Sequence, residues 1–296
     1  MPSARQSLNL TWREGRTPKR AFVKVELLIV LVTIACLFAM FWPGKKRSGQ
    51  TMGRLVAHRS LCLDNLRQLA TAEFMYSADN RGRFCPSYLD YDSLELKNVW
   101  MGALTNYHAR PDGVWLCPAT TNPPTASYRG SAEAPWTYTD PASGLTTPGS
   151  YAINGYLGLG RNYKLAKEAN FKPKLVFHEQ ATVRQPGRTP LFSDAVYWNC
   201  GLEETDSPPR NLYEPEGNIV AVGNFKRILT QFIARHGDLP ASQAPRELDS
   251  ESLPGAINLT FVDGHAATVP LENLWTLYWH KNWDPTKVPS PHPPPK

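Results

Sequence analysis

The feature that most constrains this chain is the run from Phe22 to Trp42, apolar from Leu27 onward except for Thr33. As a helix it would be roughly 30 Å long, enough to cross a bilayer core. Pro43-Gly44 ends it and Lys45-Lys46-Arg47 closes it with charge. One residue is out of place. Glu26 puts a carboxylate inside the segment, where an unpaired charge is costly and implies a partner and a role.

A plain signal-anchor accounts for the hydrophobicity of the run but not for Glu26. A secretory signal peptide needs small residues at its cleavage site, and Phe41-Trp42-Pro43 supplies none. Thr33-Ile34-Ala35-Cys36 has the outline of a lipobox, but it has Thr33 where Leu is usual.

Charge belongs to the same boundary. The leader to Ala21 carries a net +4, Lys24 offsets Glu26, and Lys45-Lys46-Arg47 adds three. The total of +6 therefore leaves a single net negative charge beyond Arg47. That distribution argues against a nucleic-acid groove. It does not orient the span, because five basic residues precede it and five follow closely (Lys45, Lys46, Arg47, Arg54 and Arg59).

The segment resembles the N-terminus of prepilin-type cleavage/methylation proteins, the type IV prepilins and type II secretion pseudoprepilins. In that family a basic leader ends in Gly or Ala, and cleavage leaves Phe first with Glu fifth. Ala21, Phe22 and Glu26 occupy those places. Val23 and Lys24 depart from the family's usual Thr and Leu. The resemblance implies processing by a prepilin peptidase/methyltransferase after Ala21 and N-methylation of Phe22. It also implies assembly with other pilin-like subunits, the Glu26 carboxylate of one facing the Phe22 amine of its neighbour. Such a pairing offsets desolvation and acts as a register device.

Further motifs extend the resemblance to a group frequent in planctomycete and verrucomicrobial bacteria. They are Cys62 to Gln68, Arg81 to Phe84, Leu116-Cys117-Pro118, Ser150 to Asn154, and Pro190 to Asp194. The group's C-terminal signature is a His, a spacer of nine, and Asp-Gly. Here His236 precedes Asp263-Gly264 with the longer spacer 237–262. The closing stretch Leu274 to Trp283 also resembles one branch of that group.

Beyond Pro43, Leu55, Cys62, Leu66, Leu69, Ala72 and Tyr76 recur near the helical period. This predicts an amphipathic helix ending at Asp79-Asn80-Arg81-Gly82. Short aromatic and β-branched runs predict strands at Val114–Cys117, Ser150–Leu157, Leu175–Glu179 and Leu191–Trp198. Ile257–Val262 and His265–Val269 flank Asp263-Gly264, the strongest short hairpin signal. Pro-, Ser- and Gly-rich stretches at 119–149, 201–217 and 237–255 are expected to be surface loops.

The expectation is an α+β, pilin-like fold, in which a long N-terminal helix, membrane-spanning and then amphipathic, packs on an antiparallel β-sheet with long loops. The divisions are a cytoplasmic leader (1–21), a spanning helix (22–43), an extracytoplasmic domain (44–284) and a disordered Pro-rich tail (285–296). Trp275, Tyr278, Trp279 and Trp283 would share one face of a short C-terminal helix docked on the sheet. The location implied is the bacterial inner membrane, single-pass, with the domain outside the cytoplasm.

No enzyme motif is complete. His178-Glu179 lacks the second His of a zinc-protease helix, and Gly155 to Gly160 has the wrong spacing for a dinucleotide loop. No cofactor is therefore expected, apart from a divalent cation if the 237–255 loop brings His236 to Asp263 and His265. Turn chemistry already accounts for Asp263, with the histidines bonded to nearby backbone, and is the favoured reading. Cys62, Cys85, Cys117 and Cys200 would be exported, and four cysteines allow three pairings. Cys62 on the sheet-facing side of the helix and Cys117 in a strand crossing it suggest one bridge. No CxxC occurs, which argues against a zinc ribbon. The function expected is a pseudopilin or minor-pilin subunit. The alternative is a membrane-anchored extracytoplasmic protein that binds a ligand or glycan and does not polymerise.

Overall fold

The computed structural model describes residues 27–34, 48–87, 99–108, 113–125, 128–158, 173–214, 230–248 and 252–288. Ala21, Phe22 and Glu26 lie outside the described residues. The chain divides into two compact units, Met1–Gln50 and Thr51–Lys296. In the first, residues 27–34 are helical with all eight side chains exposed. No helix among the described residues is long and apolar enough to cross a membrane.

Helix α1 runs from Ser48 to Asp79. In the second unit its buried stripe is Cys62, Leu66, Leu69 and Ala72, each fully inaccessible and three or four residues from the next. The helix stops where expected. Arg81 and Gly82 both take positive φ (61° and 77°), and the Gly82 N–H donates to Ser77 O at 2.8 Å, satisfying a carbonyl of the last turn. A second helix, α2, is a single short turn, Trp100–Leu104.

The strands are β1 (Trp136–Thr139), β2 (Thr146–Gly149), β3 (Tyr151–Asn154), β4 (Pro190–Asp194), β5 (Asn199–Cys200), β6 (Ala256–Phe261) and β7 (Ala266–Pro270). β1 and β2 form a separate antiparallel hairpin, while the main sheet has the order β5-β3-β4-β6-β7. Its pairs are antiparallel except β3 with the two-residue edge strand β5. The architecture is α+β.

Alternation sorts the sheet's two faces. Tyr151 and Ile153 of β3 join Cys62, Leu66 and Leu69 in one core cluster, with Trp100 and Trp115 beside them. Ala152, Ile257, Leu259 and Phe261 face a second cluster with Phe232, Leu274, Trp275 and Trp279. A register shift between Pro190 and Phe192 breaks the alternation in β4, so Leu191 and Phe192 both reach the first cluster. Both faces are covered, so β3, β4 and β6 are buried along their whole length.

Several expectations are corrected. Val114–Cys117 is a turn rather than a strand; Trp115 and Cys117 are buried, and the Ser150 N–H donates to Trp115 O at 2.8 Å. Leu175–Glu179 contributes only isolated bridges, Leu157 to Phe177 and Arg83 to Glu179. The 119–149 stretch contains the β1–β2 hairpin. The described parts of 201–217 and 237–255 are not surface decoration, since Leu202, Leu212, Ala241, Ala244, Leu248 and Leu253 are buried in the second cluster. The C-terminal aromatic stretch is a 3-10 helix (Leu271–Thr276) followed by irregular chain. Its aromatics are docked nonetheless, with Trp275 and Trp279 at 1% and 0% exposure. The tail from Pro285 starts with a 3-10 turn at Pro285–Lys287.

Candidate functional site

Cys62, Cys117, Asp194 and His236 come together in the buried interior, with one potential ligand atom from each within 4.8 Å of all the others. Each arrives on a different segment. Cys62 is part of the buried stripe of α1. Cys117 closes the turn after Trp115, where the Thr120 hydroxyl donates to its carbonyl at 2.6 Å. Asp194 is the last residue of β4, opposite Tyr151 in the register. His236 is fixed by a two-way backbone bridge to Ala256, at 2.9 and 2.8 Å.

Asp194 is the hub. Cys62 Sγ lies 3.4 Å from Oδ1 and 3.7 Å from Oδ2. The Asn258 N–H donates to Oδ2 at 2.8 Å, and His236 Nε2 is 3.3 Å from the same oxygen. That nitrogen is also 3.4 Å from Cys117 Sγ. Arg235 Nη1 stands 3.4 Å from Oδ1. The guanidinium is wholly buried and donates to the carbonyls of Ala132, Ser150, Ser131 and Ala195. Its fork reaches four carbonyls of irregular chain, of which Ser150 O also accepts from the Ala195 N–H at 2.9 Å.

Burial and charge pull the titrations apart. Burial would raise Asp194, but the His236 imidazolium, Arg235 and the Asn258 N–H override it and hold the carboxyl below its usual range. Burial would lower His236, yet Asp194 and Cys117 lift it to about 10. Burial would likewise raise Cys117, but the Cys62 thiol and His236 bring it down to about 6. Cys62 is pushed well above the ordinary thiol range by burial and by the neighbouring Cys117.

The expected cation set of His236, Asp263 and His265 does not assemble. Asp263 and His265 meet at the hairpin turn, His265 Nδ1 to Asp263 Oδ1 at 2.6 Å, both side chains being more than 40% exposed. His265 also stacks on Phe261 at 4.2 Å. His236 sits beside the other end of β6, at Ala256, separated from the turn by the length of that strand, roughly 20 Å at 3.3 Å per residue. Asp263 therefore does the turn work, and His236 works elsewhere. Cys62 and Cys117 are brought together as the sequence suggested, each as a free cysteine.

Asp194 was the residue missed. A signal for it existed, since Asp194 ends the Pro190 to Asp194 motif, and Cys62, Cys117 and His236 each lie in another of the chain's short motifs. No family model, curated protein or solved structure matches the chain.

Proposed function

We propose that the chain is a pseudopilin or minor-pilin-like structural subunit. It is processed by a prepilin peptidase after Ala21, methylated at Phe22, and incorporated into a type II secretion- or type IV pilus-like filament through its N-terminal helix. The observation that carries this reading is the order Ala21, Phe22, Glu26, apolar run. A carboxylate at the fifth place has no use in a simple anchor, but in a filament it can face a neighbour's terminal amine. The second unit adds support of a coarser kind. From Cys62 onward α1 lies on a largely antiparallel sheet, burying Cys62, Leu66 and Leu69 against Tyr151, Ile153 and Phe192. The turns before it, residues 52–61, are exposed or half-buried, and Met52, Val56 and Leu61 offer apolar surface to a neighbouring subunit.

The alternative, a membrane-anchored extracytoplasmic protein that binds a ligand or glycan through exposed loops and does not polymerise, gives the order Ala21, Phe22, Glu26 no role. The deciding test is the N-terminus of the protein made in cells that carry a prepilin peptidase. Mass spectrometry should find a chain beginning with N-methylated Phe22. An intact leader would overturn the proposal.

A further inference from the structure

We propose that Cys62, Cys117, Asp194 and His236 are the four ligands of a closed, structural zinc site that fastens helix α1 to the sheet. The inference is independent of the filament reading, because it concerns the interior of residues 51–296 alone.

The first argument is geometric. With Oδ2 as the Asp194 donor, Cys62 Sγ is 3.7 Å away and His236 Nε2 3.3 Å away, and Cys117 Sγ to His236 Nε2 is 3.4 Å. A tetrahedron with Zn–S near 2.3 Å and Zn–N and Zn–O near 2.0–2.1 Å has edges of roughly 3.3–3.8 Å. Three of the six edges already fall in that range, and the four donors lie within 4.8 Å of one another.

The second is that hydrogen bonding alone serves this arrangement poorly. The same nitrogen of His236 faces both Cys117 Sγ and Asp194 Oδ2. A protonated Nε2 has one hydrogen to give, so it can satisfy only one of them. A lone pair directed between the two toward a shared ion meets both. A catalytic Cys–His–Asp relay would use the two ring nitrogens separately and would open to substrate. Here Cys62, Cys117, Asp194 and His236 are 0%, 1%, 0% and 4% exposed. A site with four protein ligands and no access is a structural one.

The third argument is charge. Two thiolates and a carboxylate make −3, Arg235 beside Asp194 contributes +1, and a divalent ion makes the buried assembly neutral. Thiolate and imidazole donors favour zinc over magnesium or calcium, which prefer all-oxygen sets. The supports such a site needs are present. The Asn258 N–H and Arg235 orient the carboxylate of Asp194, and the backbone bridge to Ala256 fixes His236. The ligands lie far apart in sequence, so binding would hold α1, the Cys117 turn, β4 and the Arg235–His236 segment at one point.

The test uses the full chain, purified without a polyhistidine tag in detergent and reductant from zinc-supplemented cells. Elemental analysis should give about one zinc per chain, and chelation should lower the melting temperature. Cobalt added to the stripped protein should produce the intense visible bands and near-ultraviolet thiolate charge transfer of a tetrahedral sulfur site. Cys117→Ser and Asp194→Asn should fall below about one tenth of an equivalent, while His265→Asn, at the exposed turn, should keep the metal. The wild-type readings decide the matter even if a ligand variant fails to fold. Zinc-free protein that gives no cobalt thiolate band would overturn the proposal. So would peptide mapping that finds Cys62 and Cys117 joined as a disulfide, or metal lost from His265→Asn but retained by Cys117→Ser.

Discussion

The two faces of the main sheet are buried to the same degree by different means. On one face a periodic helix lays Cys62, Leu66, Leu69 and Ala72 against Tyr151, Ile153 and Phe192. On the other, segments without regular structure bring Leu202, Leu212, Phe232, Ile233 and Trp279 to Ile257 and Leu259. A helix satisfies its own backbone, so its side chains need only be apolar. Buried irregular chain must satisfy its backbone from outside, and polar side chains do that here. Arg235 caps four carbonyls. Asn154 donates to Pro190 O and Trp279 O and accepts from the Tyr156 N–H. The difference teaches that a loop rich in Pro and Ser can be core when a few buried polar residues complete its hydrogen bonds.

The largest effect expected is at Trp279. Its ring is fully buried, its Nε1–H donates to Leu274 O at 2.8 Å, and its own carbonyl accepts from Asn154. Trp279→Ala should cost about 3–5 kcal/mol, against about 2–5 for Leu66→Ala on the helical side. Chemical unfolding of both variants tests whether the irregular face is as much a core as the regular one. A loss below about 1 kcal/mol for Trp279→Ala, with Leu66→Ala in its range, would show that the second face only shields the sheet.

The helical face has its own exception, Glu73, fully buried in α1. One oxygen accepts from the Cys85 N–H at 3.0 Å, and the other has no partner among the described residues. Burial raises its carboxyl from 4.5 to about 8, against a smaller opposing pull from Cys85. The folded chain thus holds a proton that the unfolded chain has given up. The stabilisation is fully present below pH 4.5 and is lost as pH rises through about 8. Glu73→Gln should behave like wild type near pH 4.5 and be more stable by a few kcal/mol above pH 8. Melting curves from pH 4.5 to 9 would show the two profiles diverging. Parallel profiles would mean that Glu73 is charged in the fold and that this face tolerates a buried carboxylate unaided.

What could be read from sequence follows the same division. α1, its stop at Arg81-Gly82 and the β6–β7 hairpin were legible because local chemistry decides them: the 3.6-residue period, positive φ after a helix, and Asp-Gly between alternating runs. The second face was not, because Leu212 or Phe232 in irregular chain leaves no period to detect. The cluster was half legible. Cys62 and Cys117 could be placed together from the helix stripe. His236 would reach Asp263 only if the 237–255 loop folded back, whereas its two-way bridge to Ala256 carries it to Asp194. Asp194 ends a strand buried on both faces, where a carboxylate is not expected without the Arg235 and Asn258 that hold it.

The smallest effect separates conformation from packing at two glycines, one on each side. Gly82 ends α1 at φ +77°, and a Cβ added there would meet nothing within 4 Å. Gly82→Ala should therefore cost only the left-handed backbone, about 1 kcal/mol. Gly255 lies at φ +97° beside His236, and its Cβ would come within 2.6 Å of the Ala234 Cβ and 3.0 Å of its Cα. Ala234 belongs to the irregular core and is fully buried, so it has nowhere to retreat. Gly255→Ala should add an overpacking cost of about 1–3 kcal/mol to the conformational one. Denaturant titration of the two variants measures the gap. If they lose the same stability, the chain around Ala234 yields to an added methyl. The irregular face would then be loosely packed for all its burial, and only the helical face would have the rigidity of a close-packed core.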